Sequence, residues 1–233
     1  MPDGTLYLLP VWLGEAGGTE LLPPNNLAIA ERITVFFCEN ERTARRMLRR
    51  MSRTIDLNAI QLHLLDKDTP PQTIDSYGPL LLGRECAILS EAGMPGIADP
   101  GARLVAEAHR RGVPVVPLTG PSSLFLALAA SGLNGQRFTF HGYLPREAAP
   151  RKQAIKQLEH DAQRTGGAQL FIETPYRNDA MLADVLATCD SRTSLCIAID
   201  LEQPGGSTIT RSIGAWRKNM PVLGKRPCVF ILG

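Results

Sequence analysis

Residues Ser90–Gly101 read SEAGMPGIADPG and follow directly on the apolar run CAIL, Cys86–Leu89. A second loop of small residues, LTGPSS at Leu118–Ser123, comes after one helix-length and one strand-length segment. Both leave the carboxyl end of an expected buried strand, which is where open α/β sheets build small-molecule sites. Three glycines and two prolines within the first loop let backbone approach a ligand closely and hold the turn in shape. Either loop alone is compatible with an ordinary turn. The pair in this order points to a site.

Outward from these loops, short apolar runs alternate with helix-patterned segments. GTLYLLPV, ITVFFCE, CAILSEA and VPVVPL read as strands buried on both sides, as in a mostly parallel sheet. Helices are expected over Arg42–Arg53, Ile74–Leu82 and Ala102–Arg111, the last stopped by Gly112. Beyond Leu118 the pattern changes. A helix at Pro121–Ser131 precedes strand RFTFHGYL, helix Arg151–Arg164, strand AQLFIET, helix Asn178–Thr188 and strand SLCIAID. The turn PGGS, the run TITRS and the final RPCVFILG suggest a mixed, partly antiparallel second sheet. The expectation is an α/β protein of two α/β domains, residues 1–117 and 118–233.

Composition narrows the class. At 233 residues the chain can form one large or two small cores, and 44% apolar with 21% charged residues is ordinary for a globular protein. No apolar run approaches the ~20 residues that span a bilayer, so no membrane role is expected. The first ten residues lack a basic start and a leader-length apolar stretch, which argues against export. Five scattered cysteines (Cys38, Cys86, Cys189, Cys196, Cys228) sit in strand-like runs with no Cys-x-x-Cys spacing. They read as buried thiols in a reducing cytoplasm, and no metal site is expected. A net charge of +2 does not by itself argue for nucleic acid. GEAGG and PGGS lack the spacing of a dinucleotide fingerprint, and there is no Walker motif.

Four segments, SEAGMPGIADPG, VVPLTGPSS, ALAASGLNGQRFTFHGYLPR and FIETPYR, together resemble the tetrapyrrole-methylase superfamily in order and spacing. Within it they look most like the branch of ribosomal-RNA small-subunit ribose-2′-O-methyltransferases, which typically shows SDAGTPxISDPG, PGPSA, SGL…F.F.GFLP and ESPHR. The resemblance covers nearly the whole chain. It implies S-adenosylmethionine as methyl donor, bound in a cleft between the two domains of a cytoplasmic homodimer, with RNA or a ribosomal subunit as a possible partner. On the family's pattern Gly93, Met94 and Ile97 contact the donor, and Ser122 and Ser123 lie beside it. Pro10 forms the floor; Glu173 and Thr174 close the far side. Met94 stands where the superfamily often carries Asp, so a backbone contact would replace a carboxylate. The chain also departs from the branch elsewhere. The loop TPIGNLGD is here PVWLGEAGG, AEDTR is CENER, ESPHR is ETPYR with Tyr176 for histidine, and RELTK, with its lysine, is IDLEQ at Ile199–Gln203.

Methyl transfer is an in-line displacement at carbon, so positioning supplies most of the catalysis. A ribose hydroxyl would lose its proton to a base or to solvent. The candidate catalytic groups are the strand-end carboxylates Glu39 and Glu91, with Arg177 to hold a phosphate or carboxylate. Glu39 reads equally as a partner for a helix dipole, and Asp99 as the cap of a helix beginning near Pro100. Arg42, Arg45, Arg46, Arg49, Arg50 and Arg53 fill one helix-length segment, either as an RNA-backbone contact or as a solvated face. His141 reads as a satisfied, half-buried residue and Trp216 as packing for the last strand. Two other functions remain open at this point: a small acceptor such as a tetrapyrrole, and a non-catalytic S-adenosylmethionine-binding protein.

Overall fold

The computed structural model describes residues 4–16 and 18–233, so Met1–Asp3 and Gly17 of the GEAGG stretch lie outside the described residues. The chain divides into two compact units, Met1–Ser122 and Ser123–Gly233. Leu118–Ser122 belongs to the first unit because its backbone is tied there. Leu118 N–H donates to Leu8 O at 3.1 Å, and Asn26 Nδ2 donates to Thr119 O at 2.8 Å.

The first unit runs β1 (Thr5–Leu9), α1 (Pro24–Arg32), β2 (Val35–Cys38), α2 (Glu41–Met51), β3 (Gln61–Leu64), α3 (Pro71–Ser76), β4 (Glu85–Leu89), α4 (Ala102–Arg110) and β5 (Val115–Pro117). Its sheet has the order β3-β2-β4-β1-β5 and every pairing is parallel. Successive strand residues point to opposite faces, and both faces are covered. Leu9, Phe36, Cys38 and Leu89 pack with Ile29 of α1 and Met47 and Leu48 of α2. Leu6, Val35, Phe37, Cys86 and Ile88 pack with Ile74 of α3 and Leu104 of α4. This explains why the strands read as continuous apolar runs.

The order of the strands places the site. From β1 the chain crosses β4 to reach β2, whereas from β4 it crosses β1 to reach β5. Neighbouring strands β1 and β4 therefore send their following loops in opposite directions. This is a topological switch point, where a crevice opens outside the carboxyl ends of the strands.

The second unit runs α5 (Ser123–Ser131), β6 (Phe138–Tyr143), α6 (Ala148–Thr165), β7 (Ala168–Ile172), α7 (Asn178–Thr188), β8 (Ser194–Ile199), β9 (Ser207–Ser212), α8 (Ile213–Lys218) and β10 (Cys228–Leu232). Its sheet, β6-β7-β10-β8-β9, is mixed: β6 and β7 are parallel, and β10 runs antiparallel between β7 and β8. Leu195, Ile197 and Ile199 face the helices α6–α8, while Cys196 and Ala198 face α5. The two-α/β-domain architecture expected from sequence is the one observed.

Several helix boundaries differ from expectation; α2, expected over Arg42–Arg53, spans Glu41–Met51, and α4 ends at Arg110 rather than Arg111. Instead of one helix over Ile74–Leu82, α3 ends at Ser76 and a 3₁₀ turn spans Gly78–Leu81, because Pro79 cannot donate to a continuing helix. Pro121 stays in the loop before α5. Helix α6 begins at Ala148 with Pro150 in its first turn, where a missing N–H costs nothing. Sequence reasoning missed the half-polar edge strand β3, and also α1.

Candidate functional site

Three loops converge at the carboxyl ends of the first unit's strands. Val11 N–H donates to Gly93 O at 2.9 Å and Gly93 N–H to Trp12 O at 3.4 Å, so the loops after β1 and β4 exchange backbone hydrogen bonds. Ser90 Oγ–H also donates to Gly93 O, at 2.9 Å. A Cβ on Gly93 would stand 2.9 Å from Leu13 Cδ2 and 3.2 Å from Pro121 O; one on Gly120 would stand 2.3 Å from Pro10 Cβ. At these two glycines it is the chain itself that approaches closely. Gly96, with φ +81 and open space around its missing side chain, is the glycine of this loop that faces no neighbour.

Of the expected donor contacts, Pro10 and Gly93 are buried, Met94, Ser122 and Ser123 half-buried, and Ile97 is 36% exposed. Pro10, Gly93, Met94, Ile97 and Ser122 all belong to the first unit. Ser123 opens the second unit, where Glu173 and Thr174 follow β7.

The loop after β1 is built around Trp12. Its indole is fully buried and Nε1–H donates to Gly18 O at 2.8 Å. The Arg50 guanidinium lies 4.0 Å over the ring and donates to Gly14 O at 3.0 Å and Ala16 O at 3.4 Å. Arg46 pairs with Glu15 at 3.1 Å, and Arg45 donates to Leu57 O at 2.7 Å. Much of the arginine-rich helix α2 thus holds its own unit together. Arg42, Arg46 and Arg49 are exposed, as is Arg53 just beyond the helix.

The Glu91 charge acts on Glu39, and the charges of both act on Asp99. Burial raises the Glu39 carboxyl above its ordinary value, and the Glu91 charge raises it further. Asp99 is pushed up to about 7, first by burial and then by the Glu39 and Glu91 charges. Asp99 does not cap α4. That helix starts at Ala102 behind Gly101, whose φ of 141° only glycine adopts comfortably, and no side chain caps it. Asn40 caps α2, accepting from Thr43 N–H at 3.1 Å, and Glu39 directly precedes that cap.

The raised Asp99 pKa has a consequence for stability. Between its ordinary value of 3.8 and about 7 the folded protein keeps a proton that the unfolded chain releases. This contribution is fully present below pH ~4 and is lost as pH rises through about 7. Asp99→Asn is therefore expected to be more stable than the parent at pH 8 by about 1–2 kcal/mol after solvent screening, with the difference shrinking toward pH 4. Urea titrations across that range give the result directly; a pH-independent difference would refute the account.

In the second unit, Glu173 is buried and accepts Thr174 N–H at 2.7 Å through Oε1. Its Oε2 lies 2.9 Å from Arg177 Nη2 without hydrogen-bond geometry. Arg177 also reaches Pro145 O at 3.5 Å and Arg146 O at 3.4 Å, so its guanidinium is engaged within its own unit. Asn178 Oδ1 is buried with no hydrogen-bond partner among the described residues. His141 bonds Gln169 Oε1 at 2.8 Å, and Trp216 is buried with its Nε1–H on Leu195 O at 2.9 Å; both are satisfied in place. The five cysteines are buried and unpaired, and among the described residues no cluster suited to a metal occurs. No helix among the described residues is long and apolar enough to cross a membrane.

The family model for tetrapyrrole (corrin/porphyrin) methylases matches residues 16–199, which takes in the loops after β4, β5 and β7 and leaves out Pro10–Glu15 of the loop after β1. The chain belongs to the tetrapyrrole methylase family. A ribosomal RNA small subunit methyltransferase I of Micromonospora olivasterospora is 34% identical over 82% of this chain. The chain spans little more than half, 57%, of that relative's length. The protein of the same description from Leptospira borgpetersenii is 30% identical over 99% of this chain and 88% of its own. Among solved structures, uroporphyrin-III C-methyl transferase from Thermus thermophilus complexed with S-adenyl homocysteine shares the fold, with a TM-score of 0.54 at 16% identity over 99% of this chain and 97% of that one.

Proposed function

We propose that this tetrapyrrole methylase family member is an S-adenosylmethionine-dependent methyltransferase whose acceptor is RNA, on the pattern of ribosomal RNA 2′-O-methylation. The observation that carries the donor half is the position of Ser90–Gly101 at the switch point between β1 and β4. The residues there suit such a donor. Met94 and Ile97 offer apolar surface to an adenosine, Gly96 leaves room beside the backbone, and carboxylates lie close by for the cationic groups. Pro10, Gly93, Ser122, Ser123, Glu173 and Thr174 complete the set of donor contacts. When bound, the donor supplies an activated methyl group on a sulfonium.

The chain's own residues position the acceptor and handle its proton. Glu39, Glu91 and Asp99 are the carboxylates available to take a hydroxyl proton, and Asp99, titrating at about 7, suits proton uptake at neutral pH. Arg42 and Arg49 on the outer face of α2, with Arg53 just beyond its end, supply a contact for phosphates, and Arg177 steadies the acceptor side. The exposed apolar pair Phe125 and Phe138, edge to face at 6.1 Å with Leu126 adjoining, supports a homodimer. An RNA acceptor and unpaired buried thiols support action in the cytoplasm.

Calorimetry with S-adenosylhomocysteine and transfer of tritiated methyl groups to purified small ribosomal subunits test the two halves. Binding and labelling are expected, with Arg42→Glu/Arg49→Glu weakening subunit binding most at low salt and the difference shrinking as salt rises. Labelling of a small-molecule fraction instead would indicate a tetrapyrrole-like acceptor. Donor binding with no labelled fraction would indicate a non-catalytic binding protein, and no donor binding would remove the whole reading.

A further inference from the structure

We propose that Tyr176 is a stacking platform for an unpaired base of the RNA acceptor, with Lys225 and Arg146 beside it to meet neighbouring phosphates. This rests on the RNA reading above and assigns that acceptor a contact.

Tyr176 sits in the turn where this chain reads ETPYR, and 78% of its surface is open to solvent. Lys225 Nζ lies 5.1 Å from its ring centroid, so an aromatic face and a cation are presented together. Val222 and Met220, in the segment leading to Lys225, are 85% and 44% exposed and add apolar surface. Arg146 is exposed, and its carbonyl accepts from Arg177 beside Tyr176. Two carboxylates next to the ring in sequence are turned inward, while Glu147, the neighbour of Arg146, is exposed. Glu173 is buried against Arg177, and Asp179 accepts Leu223 N–H at 2.7 Å and Gly224 N–H at 3.2 Å. Lys225 is left as the exposed charge against the ring.

The platform is held from below. Pro175 opens the 3₁₀ turn Pro175–Arg177, and Arg177 N–H closes it on Thr174 O at 2.9 Å. Asp179 on one side and Asn178 on the other, whose Nδ2–H donates to Arg226 O at 2.6 Å, clamp the backbone flanking Lys225. Ordering these groups before binding lowers the entropy lost on association. A small acceptor is normally buried in a concavity, whereas a projecting ring with adjacent cations matches single-stranded nucleic acid, where bases stack on aromatic side chains along a basic track.

The test uses the full chain and a fluorescently labelled single-stranded RNA of mixed sequence, ~20 nucleotides long, followed by anisotropy between about 50 and 200 mM salt. Tyr176→Ala is expected to weaken binding about ten-fold, and Tyr176→Phe, which keeps the stacking face, to stay within about two-fold of the parent. Lys225→Ala should lower the salt slope by about one. Both positions are exposed to solvent, so the three variants should unfold at the parent's midpoint. If the parent binds RNA in a salt-dependent way but Tyr176→Ala binds equally well, the platform is wrong and the RNA reading stands. Equal affinity of the parent for an abasic version of the probe also sinks the platform. If the parent binds no RNA at any salt, both fail together.

Discussion

Trp12→Ala is expected to cost about 3–5 kcal/mol of stability, the range for emptying a buried indole site. The side chain is fully buried, Gly18 O would lose its donor, and Arg50 would lose the ring beneath its guanidinium. The damage should spread beyond the cavity. Trp12 O accepts from Gly93 N–H, so a loosened Trp12 loop frees one side of the Ser90–Gly101 loop. Urea unfolding should show a lower midpoint at an unchanged slope, and S-adenosylhomocysteine should bind more weakly to the folded fraction. Trp12→Phe keeps a ring under Arg50 but loses the Nε1–H donor, and should fall between the two. A Trp12→Ala protein with the parent's midpoint would show that the indole is not what anchors this loop.

Gly93→Ala is expected to cost about 2–5 kcal/mol, from two sources that a control separates. At φ +71 any L side chain pays a conformational penalty of roughly 1–2 kcal/mol. The added Cβ would also meet Leu13 Cδ2 at 2.9 Å, which can rotate away, and Pro121 O at 3.2 Å, which is backbone and cannot without moving its loop. Overpacking of this kind adds roughly 1–3 kcal/mol. Gly96→Ala carries the conformational penalty alone, since open space surrounds it. Gly93→Ala should therefore unfold at lower denaturant than Gly96→Ala and lose more donor affinity by calorimetry. Equal destabilisation of the two would remove the loop-packing explanation.

The fold was legible because both signals that define it are local. Continuous apolar runs such as VFFC and CAIL mark strands covered on two faces, and the alternation of strand and helix implies a parallel sheet. Strand order was not legible: nothing in the sequence places β4 between β1 and β2, and that placement creates the switch point. Edge strand β3, QLHL, was missed because an edge needs no apolar run. Within the candidate site, the Ser90–Gly101 loop announced itself by composition, but the role of its glycines did not. Gly93 and Gly120 are required by other loops, and those contacts exist only once the strands are in register. Arg50 reads from sequence as one member of a basic face. Only the fold brings it over Trp12, some forty residues earlier in the chain. Asp99 could be assigned as a cap because its spacing to α4 permits one, yet its environment is set by burial and then by the charges of Glu39, just past β2, and Glu91.

The hydrogen bonds that Val11 and Trp12 exchange with Gly93 extend the β1–β4 pairing past the ends of both strands. Segments roughly eighty residues apart in the chain thereby behave as one mechanical part. Sequence drift in one is constrained by the other, so a substitution at Leu13 that is harmless with Gly93 can become harmful with any other residue there, and the reverse. The altered loop PVWLGEAGG and the retained small-residue loop are best understood as a matched pair, whose tolerated changes must arrive together.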